Sequence, residues 1–122
     1  MEGLTERRDL VRRAICSLND CLPVDPMGDV ETLFLCDVDA GLFQLMNLGW
    51  QGKKRTCSIT LLVRVKDQTV WIEEDWTEDG FAGRLVAMGV PRDEIVLAFH
   101  PPHLRPLTDF ASGEPGLSES RA

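Results

Sequence analysis

The side chains of this 122-residue chain that could do chemistry are concentrated in one acidic run. The run contains five carboxylates: Glu73, Glu74, Asp75, Glu78 and Asp79. Carboxylates at a strand end can hold Mg²⁺ for phosphodiester chemistry, so one hypothesis is a metal-dependent enzyme that uses the Glu73–Asp79 cluster. The strand before the run has no lysine one residue beyond a carboxylate, which a restriction-type nuclease core would have. We therefore expect neither a catalytic residue nor a metal here.

Helix capping accounts for most of these acids without any catalysis. Thr77 lies just ahead of the periodic segment EDGFAGRLVAMG, and Asp75 lies three residues before Glu78. Either Asp75 or Thr77 can accept hydrogen bonds from the free N–H groups of the first helical turn. Glu78 can oppose the positive end of the helix dipole. The pattern predicts structural capping by Asp75, Thr77 and Glu78.

The two histidines, His100 and His103, have the H-x2-H spacing of some zinc ligands. Pro101 and Pro102 lie between them and prevent the helix on which such spacing would converge on a metal. The sequence identifies no nucleophile for a histidine base and contains no glycine-rich phosphate loop. We expect no cofactor and no metal site.

Large aromatic side chains off the core face are more informative, because such groups often anchor protein partners. Strand alternation places Trp71 opposite to Val70 and Ile72, and Trp76 lies in a turn. A covering helix or a second copy of the chain could equally pack on them. Local structure leaves several polar side chains near the C-terminus unexplained. The predicted partner-binding set is Trp50, Trp71, Trp76, His100, His103 and Arg105.

The charge balance limits the part that nucleic acid can play. A net charge of −7 and an isoelectric point near 4.7 argue against a protein that coats nucleic acid through its overall field. Local basic patches remain at Lys53–Arg55 and on the first helix, and we expect them to be solvated faces. The alternative hypothesis is direct DNA contact through four helix-one arginines: Arg7, Arg8, Arg12 and Arg13.

The elements that position these residues follow from hydrophobic periodicity. Apolar residues at helical spacing predict an amphipathic helix over Leu4–Leu18, with its apolar stripe at Leu4, Val11, Ala14, Ile15 and Leu18. Four stretches have strand patterns: Val30–Asp37, Leu42–Trp50, Cys57–Lys66 and Thr69–Glu74. Only short turns connect them, so they must form an antiparallel meander, because a parallel crossover needs a dozen or more connecting residues.

The same patterns indicate which residues face the core. In the third strand Ile59, Leu61, Val63 and Val65 are expected to point one way. A second helix follows the fourth strand, with a buried stripe formed by Phe81, Leu85 and Met88 and a C-cap at Gly89. The segment Ile95–Phe99 is either a fifth strand or a buried extended segment. The expected fold is α+β, a four- to five-stranded antiparallel meander with helices packed on one face.

The length suits one domain, which we expect over residues 1–111, followed by a disordered tail over residues 112–122. The longest apolar run is far below the roughly 20 residues that span a bilayer, and the N-terminus does not resemble a secretory signal. We therefore expect a cytoplasmic protein without membrane association. The four cysteines lack zinc-like spacing, which indicates reduced thiols.

The sequence resembles the XisI-like family, the fdxN element excision controlling factors. The resemblance covers residues 4–111 and begins with VET at 30–32, FQL at 43–45 and GW at 49–50. Its specific part is the second half, with WIEEDWTEDGFAGRL, GVPRDEIVLAFHPP and LRPLTDFA. The chain departs from the family pattern at residues 56–58 and in the tail after Ala111.

The resemblance implies an accessory protein of developmentally regulated DNA excision. It implies a XisH-like partner that looks like a restriction-fold nuclease, a separate site-specific recombinase, and no established catalytic residues to carry over. The expected function is therefore non-enzymatic control of a XisH-like partner, because an acidic surface can occupy a basic nucleic-acid cleft. An open sheet with unpaired edges and an incompletely covered face is also compatible with a homodimer.

Overall fold

The structure is a computed structural model and describes residues 2–21 and 29–112. Helix α1 comprises Glu2–Cys21. The strands are β1 Val30–Asp37, β2 Leu42–Gln51, β3 Lys54–Lys66, β4 Thr69–Asp75 and β5 Ile95–Leu97. Helix α2, Phe81–Ala87, and a short 3-10 helix, Arg92–Glu94, lie between β4 and β5. A second 3-10 helix, Pro102–Leu107, follows β5.

The five strands form one sheet in the order β1-β2-β3-β4-β5. Strands β1 to β4 are antiparallel neighbours, as the meander prediction required. The segment at Ile95 is a strand, but it pairs with β4 in parallel, with Val70 opposite Ile95. The connection through α2 is long enough for a parallel crossover, so the meander ends at β4. The expected α+β fold is confirmed.

Both helices pack on one side of the sheet, which we call the helix face, and the core lies between. Helix α1 contributes four buried residues at helical spacing: Val11, Ala14, Ile15 and Leu18. Strands β2, β3 and β4 contribute seven buried residues to this face: Phe43, Leu45, Leu61, Val63, Val65, Val70 and Ile72. Period-2 alternation in β2, β3 and β4 brings these side chains to the same face, where α1 and α2 exclude water from them.

An irregularity in β3 changes which side chains reach the helix face. Leu61 pairs with Leu45, whereas Ile59 pairs with Met46, so Thr60 is an extra residue in β3. The bulge reverses the alternation beyond this point. Ile59 therefore lies on the opposite face from Leu61, and the prediction that the two point the same way was wrong.

A second irregularity lies at Glu73 in β4. Val63 pairs with Ile72 and Leu62 pairs with Glu74, which leaves Glu73 as an extra residue. A regular strand would continue Val70 and Ile72 on the helix face with Glu74. The bulge puts Asp75, the partner of buried Leu61, on that face instead. One carboxylate of the acidic run thereby lies next to the start of α2.

Helix α2 is shorter than the sequence pattern suggested. Phe81, Ala82 and Leu85 are buried, whereas Met88 lies beyond the last helical residue and is exposed. The prediction that Met88 belongs to the buried stripe was wrong, because a helix of seven residues has only two turns. Gly89 has a φ of 101°, the left-handed conformation expected of its position after the helix.

The C-terminal segment runs beside β5. The backbone of Ala111 forms a parallel bridge with Val96, and its N–H donates to the Ile95 carbonyl at 2.8 Å. The predicted tail, residues 112–122, lies outside the described residues apart from Ser112. In the part of the chain that the structure describes, no helix is long and apolar enough to cross a membrane.

Candidate partner-binding site

Asp75 organises the loop between β4 and α2. Its Oδ2 accepts the backbone N–H of Phe81, the first residue of α2, at 2.7 Å. Its Oδ1 accepts the backbone N–H of Thr77 at 2.9 Å and also the Thr77 hydroxyl. A carboxylate in this place satisfies one free N–H of the first turn and opposes the positive end of the helix dipole. Asp75 therefore caps α2 from outside the helix.

Thr77 and Glu78 do not cap α2 in the way that the sequence suggested. Thr77 donates to Asp75 and so braces the capping carboxylate without contacting the helix itself. Glu78 is exposed and lies two residues before Gly80, the N-cap residue, and the first turn contains no acidic side chain. The chain turns at Gly80 with a φ of 86°, a conformation that glycine adopts readily. The helix therefore begins at Phe81, after the first residues of the periodic segment that predicted it.

The other acids of the run are engaged separately or are exposed. Glu73 Oε2 lies 3.6 Å from an Arg64 guanidinium nitrogen. Glu74 Oε1 accepts the indole N–H of Trp76 at 2.6 Å. Within residues 2–21 and 29–112, no three His, Cys, Asp or Glu side chains come close enough together to hold a metal ion. The contacts of the acidic run are those of a structured loop.

A groove of about 720 Å³ opens beside this loop, between α2 and the end of α1. Its lining residues are Leu18, Thr60, Trp76, Thr77, Glu78, Asp79, Gly80, Phe81, Gly83, Arg84 and Ala87. Arg84 Nη1 donates to Ser17 Oγ at 3.2 Å and ties α2 to α1 along one side. The lining combines apolar side chains with the exposed acids Glu78 and Asp79. Such a surface suits a partner segment that carries both apolar and basic residues.

Trp76 borders this groove and is the most exposed tryptophan, at 76%. Its backbone N–H donates to the Thr60 carbonyl at 2.8 Å, and its indole N–H is held by Glu74. An exposed indole that is already held in place loses little conformational entropy when a partner covers it. The position has the geometry of an interface anchor.

Trp71 and Arg105, two members of the predicted partner-binding set, pack against each other inside the chain. Trp71 does point away from the helix face, but it is only 9% exposed. The Arg105 guanidinium lies 5.9 Å from the centre of its ring, and the Lys66 ammonium lies 4.3 Å from it. Arg105 also donates to the carbonyls of His100 (2.9 Å) and Ala98 (3.1 Å). The two residues therefore hold the C-terminal segment on the sheet, and this packing removes Trp71 from the accessible surface.

The remaining members of the set lie in two other places. Trp50 is half exposed near the turn between β2 and β3, with the Arg55 guanidinium 5.3 Å from its ring centre. His100 is half-buried, with its ring 4.6 Å from that of Phe99, and His103 is exposed in the 3-10 helix. The residues that the sequence grouped together do not form one surface.

The arginines of α1 contact acceptors in the chain itself. Arg7 donates to the Gln68 carbonyl at 2.6 Å. Its Nη1 also lies 2.8 Å from Glu94 Oε1, an ion-pair distance without the geometry of a hydrogen bond. Arg8 donates to the two carbonyls of residues 38 and 39, at 2.8 and 2.7 Å. These two arginines tie α1 to the turns at one end of the sheet.

Arg12 and Arg13 share one carboxylate. Arg12 Nη2 lies 2.8 Å from Asp9 Oδ1, and Arg13 Nε lies 3.0 Å from Asp9 Oδ2. These hydrogen bonds, that of Arg12 first, lower the pKa of Asp9, and the Asp9 bond raises the pKa of Arg12. All four arginines thus have partners within the chain.

Sequence reasoning did not find the groove. Leu18, Thr60 and Arg84 come from three elements and are brought together by the packing of α1 and α2 on the helix face. No local pattern marks such residues as neighbours, because their spacing along the chain is unrelated to helix or strand periodicity. The exposed turn position of Trp76 is the one signal that pointed to this region.

The sheet order, the helix face and the groove define a small α+β protein built on a single five-stranded sheet. The model of the XisI protein family matches residues 1–112, and the chain belongs to this family. A XisI-like protein from Anabaena variabilis ATCC 29413 is 32% identical, with a TM-score of 0.80 over 88% of this chain and 97% of that one.

The fdxN element excision controlling factor XisI from the same organism is 30% identical, with a TM-score of 0.79. That match covers 91% of this chain and 99% of the solved one. Comparison with curated proteins finds no significant match. The family expected from the sequence is confirmed.

Proposed function

We propose that the chain is a non-enzymatic regulatory protein that acts with a XisH-like, nuclease-fold partner in programmed DNA excision or its control. The observation that carries the proposal is membership of the XisI family over residues 1–112, together with likeness to a protein described as an excision controlling factor. The net charge of −7 supports a role through a protein partner, because a basic nucleic-acid cleft attracts an acidic surface.

The groove beside Trp76 is the contact surface in this proposal. Trp76 supplies a large exposed anchor and Ala87 a small exposed apolar side chain, while the buried Phe81 and Leu18 form the floor of the groove. Glu78 and Asp79 are positioned to meet basic residues at the edge of such an interface. The surface therefore offers both the hydrophobic centre and the charged edge that protein interfaces combine.

Co-expression with a XisH-like protein tests the proposal directly. We expect a complex that survives size-exclusion chromatography, and a Trp76→Ala variant that binds at least about 30-fold more weakly, as for an interface hot spot. The matched control is Leu107→Ala, which removes an 81% exposed apolar side chain from the 3-10 helix and should leave the affinity unchanged.

Two results would contradict the proposal. If the wild-type chain and the XisH-like protein elute separately, the partner assignment fails. The second is calorimetric binding of Mg²⁺ or Mn²⁺ at millimolar concentration that the double variant Glu74→Gln with Asp79→Asn abolishes. Such binding would support a metal-dependent enzyme at Glu73–Asp79 in place of a regulatory protein.

A further inference from the structure

The face of β1, β2 and β3 that points away from the helices is apolar, and we call it the open face. It carries Leu33, Leu35, Leu42, Met46, Leu48, Trp50, Ile59 and Leu62. None of these side chains is buried, and Leu35, Leu42 and Trp50 are 40–51% exposed. Over β4 the same side of the sheet is covered, as the packing on Trp71 demonstrates. A contiguous apolar patch of this kind marks an interaction surface.

Charged residues on the open face are segregated by strand. Glu31 and Asp37 lie on β1, and Arg55, Arg64 and Lys66 lie on β3, where Arg64 is 3.6 Å from Glu73 and Lys66 lies over the ring of Trp71. The strand register aligns them in rows across the sheet. Asp37, Leu42 and Arg64 form one row, because Leu42 pairs with both of the other residues. Acids thus lie on one side of the apolar strip and bases on the other.

This arrangement is complementary to itself. A two-fold axis parallel to the strands and above β2 would place β1 of one copy against β3 of the other. Residues of one row then face each other, so Asp37 of each copy opposes Arg64 of its mate. A two-fold axis perpendicular to the strands would set β1 against β1 and bring Glu31 towards Asp37, which like-charge repulsion disfavours. The charges therefore select one symmetric arrangement.

We propose that two copies of this chain dimerise through their open faces, with the two-fold axis parallel to the strands and the Asp37–Arg64 pair formed twice. Stacked sheets would pack about 10 Å apart, with the apolar side chains interdigitating between them. The dimer does not rest on the proposed XisH-like partner. The groove beside Trp76 lies on the helix side of the sheet and stays accessible in it.

Charge reversal tests this geometry. In an Asp37→Arg dimer, the new arginine of each copy would face Arg64 of the other copy. In an Arg64→Asp dimer, the new aspartate of each copy would face Asp37 of the other copy. We expect the wild type to be dimeric in sedimentation velocity at micromolar concentration, and each single variant to dimerise at least about tenfold more weakly. An equimolar mixture of the two variants should recover the dimer, because each of the two contacts in the heterodimer again joins one arginine to one aspartate.

The recovered heterodimer also establishes that both variants are folded. This control matters because Asp37 Oδ1 accepts the Ala40 N–H at 3.0 Å and Arg64 lies near Glu73 within the chain. As a second variant, Leu42→Glu places a charge in the apolar strip at a 40% exposed position, where it should abolish the dimer without unfolding the chain. Near-ultraviolet circular dichroism checks that the Leu42→Glu chain keeps its packing.

Three results would overturn the dimer. The first is a wild-type chain that is monomeric at these concentrations. The second is a dimer that Leu42→Glu leaves intact, which would assign it to another surface. The third is a mixture of charge variants that stays monomeric while both variants are folded. If the chain is monomeric and Leu42→Glu abolishes binding of the XisH-like protein, the open face belongs to that partner.

The cysteines provide an independent measurement. Cys57 lies on the open face, in the row of Leu48, whereas Cys36 pairs with Phe43 on the other side of the sheet. Both are exposed free thiols in the single chain. Alkylation of Cys57 should slow several-fold as protein concentration rises through the dissociation constant, while that of Cys36 should not change. Equal concentration dependence of the two thiols would contradict burial of the open face.

Discussion

Asp75 is the carboxylate on which the start of α2 depends, and its own position depends on one extra residue in β4. The bulge at Glu73 brings Asp75 rather than Glu74 to the helix face. The Asp75 side chain accepts hydrogen bonds from the backbone N–H groups of Thr77 and Phe81, which lie before and after the exposed residues Glu78 and Asp79. The cap is thus provided by the strand before the helix, six residues away along the chain.

Replacing Asp75 with Ala should lower the free energy of unfolding by about 1–2 kcal/mol, the usual effect of losing a helix cap. The reason is that the N–H groups of Phe81 and Thr77 lose their acceptor. Urea denaturation at neutral pH measures the change. The matched control is Asp79→Ala, an exposed acid in the same loop, for which we expect a change within about 0.5 kcal/mol. Equal effects of the two substitutions would contradict the cap.

Asp9 is the residue whose protonation should be visible in stability. Its hydrogen bonds with Arg12 and then Arg13 lower its pKa in the folded chain below the value of about 3.9 that an unfolded chain has. A lowered folded pKa means that the unfolded state binds the proton more readily. The stabilisation from Asp9 is therefore present above about pH 4 and is lost as pH falls through the lowered folded value.

Asp9→Asn should accordingly destabilise the chain at neutral pH, with a difference from the wild type that narrows below about pH 4. Urea denaturation of both proteins at pH 7, 5 and 3 measures the trend. Because Asp9 is on the surface, the effect should also decrease at high salt. A difference that is the same at all three pH values would show that the ion pair with Arg12 and Arg13 contributes nothing.

At the scale of elements, the C-terminal segment stabilises the sheet through one side chain. Arg105 reaches the carbonyls of Ala98 and His100 and lies over the ring of Trp71. The segment then rejoins the sheet where Ala111 bridges to Val96. Strand alternation correctly placed Trp71 on the face away from the helices. Its cover comes from a Pro-rich segment with neither helix nor strand periodicity, which sequence patterns cannot place.

Arg105→Ala should release this segment and expose Trp71. We expect a loss of about 1–3 kcal/mol in the free energy of unfolding, since two hydrogen bonds from a charged donor disappear. Tryptophan fluorescence should shift to the red and become more accessible to acrylamide. In His103→Ala, which changes an exposed residue of the same 3-10 helix, both readouts should stay at wild-type values. An unchanged spectrum in Arg105→Ala would mean that the segment is held by other contacts.

At the scale of the whole molecule, the distribution of charge bears on whether the chain contacts DNA directly or acts through a protein partner. The chain carries a net charge of −7, and the arginines of α1 are bound to carbonyls or to Asp9. Cations that neutralise phosphates must be free to approach them, and a strongly acidic protein repels the DNA backbone. The global field and the local contacts therefore both weigh against direct DNA contact through the arginines of α1.

The variant Arg8→Ala with Arg12→Ala tests this conclusion. We expect it to leave any affinity for duplex DNA and its salt dependence unchanged, and to lower stability because the carbonyls of Val38 and Asp39 lose their donor. Fluorescence anisotropy at two salt concentrations measures the first effect and urea denaturation the second. Arg92→Ala is a control, since it removes an exposed arginine of the first 3-10 helix, which lies outside both basic patches. Salt-dependent DNA binding that the double variant weakens would favour the DNA-contacting alternative.

Periodicity along the chain was sufficient for much of the architecture. Alternation in β3 identified Leu61, Val63 and Val65 as core residues, and helical spacing identified Val11, Ile15 and Leu18 in α1. Short turns required antiparallel neighbours, and the motifs of the second half led to the correct family. These features are local, because each depends on residues a few positions apart and on the geometry of a single element.

Long-range packing governed the rest. Two bulges moved Ile59 off the core face and brought Asp75 to the helix, since strand register is set by both partners in a pair. Folding also separated Trp50, Trp71 and Trp76, which the sequence had grouped, into an open face, a covered one and a groove. Which side chains remain available to a partner depends on what the other elements cover, and that is a property of the assembled molecule.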